Sequence, residues 1–116
     1  MGGKKMSLVY KCIGKNMLVK FIGEIDHHES KTLRVEIDDV IESDDIKNVI
    51  FDFTNVEFMD SSGIGMILGR YRKVEDKDGG VFLVNVKDNL DDIFRISGVY
   101  SVAKKYDTLG EVMDLV

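Results

Sequence analysis

Proline is absent from the 116 residues, and cysteine occurs once, at Cys12. A single cysteine excludes an intrachain disulfide, which favours a reducing compartment such as the cytoplasm. Because Cys12 stands among alternating apolar residues, we predict a buried packing residue rather than a reactive thiol. Without proline, glycine residues and clusters of aspartate and asparagine must mark the turns and helix ends.

Dense basic clusters and long apolar runs are also missing. The formal net charge is −5, and the densest basic segments, Lys104-Lys105 and Arg70/Arg72-Lys73, are predicted to be solvated faces too short to follow a phosphate backbone. No apolar stretch approaches the ~18 residues of a membrane-spanning helix, and the N-terminus lacks the apolar region of a signal peptide. We therefore expect neither nucleic acid nor a membrane as a partner.

The remaining composition is typical of one globular domain. Apolar residues make up 44% of the chain and charged residues 32%, and a chain of this length buries roughly two-thirds of its unfolded surface without a disulfide or a metal. The sequence contains no internal repeat, low-complexity tract or linker. We assign residues 7–116 to a single domain and residues 1–6 to a disordered leader or to residues left by cloning.

The apolar pattern predicts strands that alternate with helices after an opening hairpin. Nearly continuous apolar runs indicate strands covered on both faces, whereas apolar residues three and four apart indicate helices. The predicted elements are a hairpin over 8–22, helices over about 26–42, 61–74, 88–97 and 108–116, and strands over 49–53, 81–84 and part of 99–106. Asp26, Asp88 and Thr108 are the predicted helix caps. This order predicts an α/β domain with a mixed β-sheet.

The segment with the most chemical character is residues 58–65, with the sequence FMDSSGIG. It places Ser61 and Ser62 at the predicted start of a helix, where the first amides lack intrahelical partners and the helix dipole is positive. A phosphate attached there would be stabilised locally, so phosphorylation need not unfold the domain. The alternative is that Asp60, Ser61 and Ser62 are simply N-cap residues, since aspartate and serine are common caps.

Glycine is concentrated in the helix that follows these serines, at Gly63, Gly65 and Gly69. Each glycine costs the helix about 1 kcal/mol relative to alanine. Such a concentration indicates either a surface that another protein approaches closely or tight packing of the backbone. In the first case the missing side chains would open Ser61 to a partner's active site.

The sequence offers little support for catalysis or metal binding. His27 and His28 are the only histidines, and adjacent helical residues point about 100° apart, so at most one of them could face a serine nucleophile. Helical metal ligands sit at i,i+3 or i,i+4 instead. The Gly-x-Ser-x-Gly elbow, the phosphate-binding loop and the dinucleotide-binding fingerprint are all absent. We therefore predict no catalytic residue, no metal and no cofactor.

Residues 58–71, FMDSSGIGMILGRY, resemble the phosphorylation segment of the anti-sigma-factor antagonists, the STAS domains, and most closely that of the sporulation branch found in endospore-forming bacteria. Residues 23–28, GEIDHH, resemble the second motif of that branch, and residues 94–98, FRISG, resemble a third. The resemblance covers nearly all of residues 7–116. It implies a STAS-like single domain, with a mixed β-sheet, an N-terminal hairpin and about four helices mainly on one face.

The resemblance also implies a function. Ser61 would be the phosphoacceptor, and an anti-sigma factor serine kinase would be the main partner. The unphosphorylated chain, expected to be a monomer, would bind this kinase and release a sporulation sigma factor; a serine phosphatase would reset the cycle. The implied partner-binding residues are Asp26, Asp60, Ser62, Gly63 and Ile64, although Asp26 could equally serve as the cap of the first helix.

Two other functions remain open at this point. The chain could be a general stress-response or stressosome-type STAS regulator that uses the same chemistry with other partners. It could instead be a nucleotide-binding STAS domain. In the leading interpretation, phosphorylation adds about −1.5 to −2 charges beside Asp60. If the partner presents acidic or apolar atoms opposite Ser61, repulsion and desolvation would switch off binding without a change of shape.

Overall fold

The computed structural model describes residues 7–22 and 27–116, with side chains described for residues 8–22 and 30–116. Within these ranges the chain forms five strands, four α-helices and a short 3₁₀ helix. In chain order they are β1 (Ser7–Ile13), β2 (Asn16–Ile22), α1 (His27–Ser43), β3 (Asn48–Asp52), α2 (Ser61–Glu75), β4 (Gly80–Val84), α3 (Asp88–Ser97), the 3₁₀ helix (Val99–Ser101), β5 (Ala103–Tyr106) and α4 (Leu109–Met113). The predicted α/β class is confirmed.

The five strands form one mixed sheet with the order β1-β2-β3-β4-β5. β1 and β2 are the antiparallel hairpin that the sequence predicts, and each of the other neighbouring pairs is parallel. A parallel pair needs a crossover connection, and the helices α1, α2 and α3 supply these connections. The carboxyl ends of β2, β3, β4 and β5 consequently meet at one edge of the sheet.

The main core lies between one face of the sheet and the helices α1, α2 and α3. Because side chains alternate along a strand, every second residue of β2, β3 and β4 points into this core. Phe51 and Phe53 stack or tilt against Phe21, and Phe53 meets Phe94 edge-on. The second face carries a smaller cluster of Ile50, Phe82, Val84 and Val112, and α4 packs against this face. The expectation of helices mainly on one face is confirmed.

Two of the predicted helix ends agree with the structure and one does not. Gly98 adopts a left-handed φ of 85° after α3, and Thr108 forms a capping box with Glu111 at the start of α4. The predicted cap Asp88 is instead the first helical residue of α3; the N-cap is Lys87, whose side chain makes no capping hydrogen bond. Asp88 still lies where a carboxylate interacts favourably with the helix dipole.

Arg70 does not belong to a solvated basic face as the sequence suggested. Only 5% of this residue is exposed, and its Nε lies 2.8 Å from Oδ1 of Asp38 on α1. Nε and Nη1 have no aligned hydrogen-bond acceptor among the described residues. Burial lowers the pKa of the Arg70 guanidinium, and the Asp38 carboxylate opposes that shift. This ion pair therefore joins α1 to α2 inside the protein rather than at its surface.

Cys12 is half-buried rather than fully buried, and it packs against the edge of the main core. Burial, followed by the nearby Asp44 carboxylate, raises the pKa of its thiol. A raised pKa disfavours the thiolate, which is the reactive form of a cysteine side chain.

Asp91 links α3 to the last part of the chain. Its Oδ1 accepts hydrogen bonds from the Tyr100 hydroxyl at 2.6 Å and from Lys105 Nζ at 2.9 Å, and Oδ2 pairs with Arg95. The hydrogen bonds from Tyr100 and Lys105 lower the pKa of Asp91 to about 2. Burial and then the bond to Asp91 raise the pKa of the Tyr100 phenol. The network holds α3 against the 3₁₀ helix and β5.

This network predicts a specific loss of stability in acid. The contribution of Asp91 is complete above its usual pKa of 3.8 and is lost as the pH falls through about 2. The free energy of unfolding, measured with urea between about pH 6 and about pH 2, should therefore fall more steeply with decreasing pH for the native chain than for Asp91→Asn. Asp92→Asn is the matched control, because Asp92 pairs with the same Arg95 but is largely exposed; equal slopes for the native chain and Asp91→Asn would refute the prediction.

Candidate functional site

The candidate site lies at the carboxyl edge of the parallel strands. α2 begins there at Ser61 after the loop 53–60 that follows β3, and α1 begins there at His27 after β2. Side chains in the connections at this edge converge in parallel sheets, which makes it the usual location of binding sites in α/β folds. The topology thus brings the starts of α1 and α2 to the same edge.

The loop 53–60 is anchored to the body of the domain at both ends. Its first part is fixed by Asp52, whose Oδ1 accepts hydrogen bonds from the Thr54 amide at 2.9 Å and from Asn85 Nδ2 at 3.0 Å. Burial alone would raise the pKa of Asp52, but the hydrogen bonds from Thr54 and Asn85 outweigh it and lower that pKa. Val56 and Met59 are fully buried and hold the rest of the loop against the core.

A second set of contacts ties the loop to the start of α3. Lys87 Nζ lies 3.1 Å from Oε1 of Glu57, and the Asn89 side-chain amide donates a hydrogen bond to the Glu57 carbonyl. These partners are about thirty residues apart in sequence. The loop is therefore held between β3, the core and α3.

Ser61 is exposed and is the first residue of α2. Asp60 is the N-cap with an extended backbone, and its Oδ1 accepts hydrogen bonds from the Ser62 amide at 2.9 Å and the Gly63 amide at 3.4 Å. The Asp60 carboxylate therefore already accepts hydrogen bonds from two of the first-turn amides that could otherwise bind a phosphate. Any charge added to Ser61 would lie beside a carboxylate and would be directed outward.

The two first-turn glycines have different roles. Gly63 is buried, and a Cβ atom at this position would lie 2.1 Å from Cγ of Met59. Gly65 faces open space, and a Cβ there would have no neighbour within 4 Å. Gly63 thus allows the backbone of α2 to pack closely against Met59, whereas Gly65 leaves the surface near Ser61 without a protruding side chain. The tight-packing alternative therefore applies at Gly63, and the open space at Gly65 is compatible with close approach of another protein.

The other predicted site residues are distributed around the start of α2. Ser62 and Ile64 are half-buried, and Ile64 packs against the main core. Asp26 lies outside the described residues, so its prediction as a contact or as a cap is untested. His27 and His28 lie in α1, and their side chains are likewise outside the described part of the structure.

One feature of the site was missed by the sequence reasoning. Phe58 is 53% exposed, although it directly precedes Met59, which is fully buried. The sequence carried no local signal for this exposure, because Phe58 and Met59 are both apolar and residues 53–60 form a loop without helical or strand periodicity. The contacts of Glu57 with Lys87 and Asn89 had no local signal, because they join segments that are distant in sequence.

The model of the STAS domain family matches residues 7–112. The chain belongs to the STAS domain family. The match spans the whole described sheet, including the loop and helix that carry Ser61. Among the described residues, no helix of this STAS domain is both long and apolar enough to cross a bilayer.

This STAS domain is similar to two relatives and one solved structure that bear anti-sigma factor antagonist names. The anti-sigma F factor antagonist of Paenibacillus polymyxa is 33% identical over 91 residues, which cover 78% of each chain. The anti-sigma-B factor antagonist of Staphylococcus aureus is 27% identical over 81 residues, covering 70% of this chain and 74% of the relative. The solved structure of the anti-sigma factor antagonist SpoIIAA in its unphosphorylated form superposes with a TM-score of 0.83 at 28% identity, covering 93% and 94% of the two chains.

The two glycines give a paired test of the packing at the start of α2. Gly63→Ala should lower the free energy of unfolding by about 1–3 kcal/mol, because the new methyl group overlaps Met59. Gly65→Ala should raise it by about 0.5–1 kcal/mol, since alanine favours the helix and meets no neighbour. Urea unfolding measures both, and equal effects of the two substitutions would contradict the packing described here.

Asp60 can be tested separately as a cap and as a charge. Asp60→Ala should cost about 1 kcal/mol of stability, because the Ser62 amide loses its acceptor. Asp60→Asn retains an oxygen acceptor and should change stability by only a few tenths of a kcal/mol. Thermal or urea unfolding of the two variants decides this, and an equally large loss in Asp60→Asn would assign the effect to charge rather than to capping.

Proposed function

We propose that this STAS domain is an anti-sigma factor antagonist of the sporulation type. Its unphosphorylated form binds an anti-sigma serine kinase and so releases the sigma factor, and phosphorylation of Ser61 ends that binding. The role is regulatory rather than enzymatic. The observation that carries the proposal is the exposed Ser61 hydroxyl on a capped helix start within a motif shared with this family.

The geometry supports a switch that works through charge rather than through a change of shape. Phosphorylation adds about −1.5 to −2 charges at neutral pH. Asp60 already accepts hydrogen bonds from the Ser62 and Gly63 amides, so the phosphate adds its charge to that of the carboxylate. If the partner presents acidic or apolar atoms opposite Ser61, repulsion and desolvation there cost several kcal/mol, which corresponds to on the order of a hundredfold or more in affinity.

The same geometry supports the remaining partner residues. Asp60, Ser62 and Ile64 surround Ser61 on the first turn of α2, and Gly63 shapes that turn from inside. Asp26 is proposed as a contact because α1 starts at the same sheet edge. We further propose a monomer that acts in the cytoplasm and is restored by a serine phosphatase.

The second candidate is a stress-response regulator with the same chemistry. It is favoured by the likeness to the anti-sigma-B factor antagonist of Staphylococcus aureus at 27% identity. The greater likeness to the anti-sigma F factor antagonist, 33% identity over a longer stretch, supports the sporulation partner set. Pull-down of the native chain against a sporulation kinase and a stress kinase separates the two candidates.

Substitutions of Ser61 test the proposal directly. After incubation with the kinase and ATP, intact mass spectrometry should show one added phosphate on the native chain and none on Ser61→Ala. Ser61→Ala should still bind the kinase, whereas Ser61→Asp should bind at least about tenfold more weakly, because a permanent charge replaces the hydroxyl.

Ser43→Ala is the matched control, since Ser43 is an exposed serine at the end of α1, at the opposite edge of the sheet from Ser61. It should be phosphorylated like the native chain, with the phosphate mapped to Ser61 by peptide analysis. Normal phosphorylation of Ser61→Ala, or full binding by phosphorylated native protein, would overturn the proposal.

A further inference from the structure

The exposed aromatic ring of Phe58 is not explained by folding. More than half of the residue is exposed, and Phe58 belongs to neither hydrophobic cluster. A large apolar side chain in water gives the folded state little hydrophobic stabilisation. The ring therefore contributes less to the fold than Met59, its buried neighbour.

The backbone on both sides of Phe58 is nevertheless firmly held. Glu57 is tied to Lys87 and Asn89, Met59 is buried beneath Gly63, and Asp60 caps α2. An aromatic ring on a preorganised loop loses little conformational freedom on binding, which is the main cost of using a side chain at an interface. Buried aromatic side chains are also enriched among the residues that dominate binding energy.

Phe58 is close to Ser61 along the chain. Three residues of chain span at most about 11 Å. A standard protein interface buries about 800 Å² of each partner, which corresponds to a patch about 16 Å in radius. An interface of this size centred on Ser61 therefore extends beyond the position of Phe58.

From this juxtaposition we propose that Phe58 is an anchor residue that inserts into an apolar pocket of the serine kinase, beside the kinase active site. The inference rests on the proposed function, because it takes Ser61 as the centre of the interface. Phe58 contributes affinity to both the regulatory complex and the phosphorylation reaction. It touches no reacting atom, so it is a specificity determinant and not a catalytic residue.

The test uses the kinase that phosphorylates Ser61 of the native chain. Phe58→Ala should raise the Kd of the unphosphorylated chain at least about tenfold. In steady-state phosphorylation it should raise KM with kcat within about twofold of the native value, as expected for loss of uniform binding. Phe58→Leu, which keeps an apolar side chain, should restore most of the affinity.

Ile13→Ala is the matched control. Ile13 is an exposed apolar residue of similar accessibility, 43%, at the end of β1 that lies at the opposite edge of the sheet from Ser61. Its Kd and KM should stay within about twofold of the native values. Thermal unfolding of all variants confirms that they remain folded.

Several results would overturn the assignment. Phe58→Ala that binds like the native chain, while Ser61→Asp loses binding, removes the anchor but leaves the proposed function intact. Equal weakening by Phe58→Ala and Ile13→Ala, or a fall in kcat alone, also overturns it. A native chain that is not phosphorylated on Ser61 ends both proposals. If Phe58→Ala is dephosphorylated more slowly but binds the kinase normally, the kinase assignment is wrong and Phe58 contacts the phosphatase instead. If Phe58→Ala loses only self-association, the assignment is also wrong and Phe58 contacts a second copy of the chain.

Discussion

The candidate site depends on how the chain turns from the core to the surface between Met59 and Ser61. Met59 is buried beneath Gly63, and two residues later Ser61 is in solvent. Asp60 makes this possible, because its carboxylate satisfies the Ser62 and Gly63 amides that the abrupt helix start leaves open. Without this combination of a buried residue, a cap and a small residue, the hydroxyl would not lie at a fixed point on a rigid surface.

The scaffold behind the candidate site is built as a single unit. The sheet and the helices α1 and α2 form a single core, and the ion pair of Asp38 with Arg70 joins the two helices that begin at the site edge. A charge added at the exposed start of α2 therefore requires no rearrangement of this shared core.

Most of the fold could be predicted from the sequence because the relevant signals are local. The hairpin around Gly14, the helix stop at Gly98 and the capping box of Thr108 and Glu111 are each encoded within a few residues. Asp88 was misplaced by one position because charge preference near a helix start does not distinguish the cap from the first turn. Arg70 was misjudged because its burial depends on Asp38, thirty-two residues away on another helix. The candidate site shows the same division: the helix start at Ser61 and its cap at Asp60 could be predicted from the motif, whereas the support of the loop by α3 and the exposure of Phe58 depend on tertiary contacts.

The attachment of Glu57 to Lys87 and Asn89 has a consequence for how such a chain can diverge. The loop that presents the hydroxyl takes part of its shape from a helix encoded thirty residues later. A substitution in either segment that leaves the core intact would still shift the loop 53–60, so we expect the loop and the start of α3 to change together among relatives. A chimera that exchanged only the FMDSSG segment between relatives would consequently keep the motif sequence but lose the contacts with α3 that set the conformation of the loop.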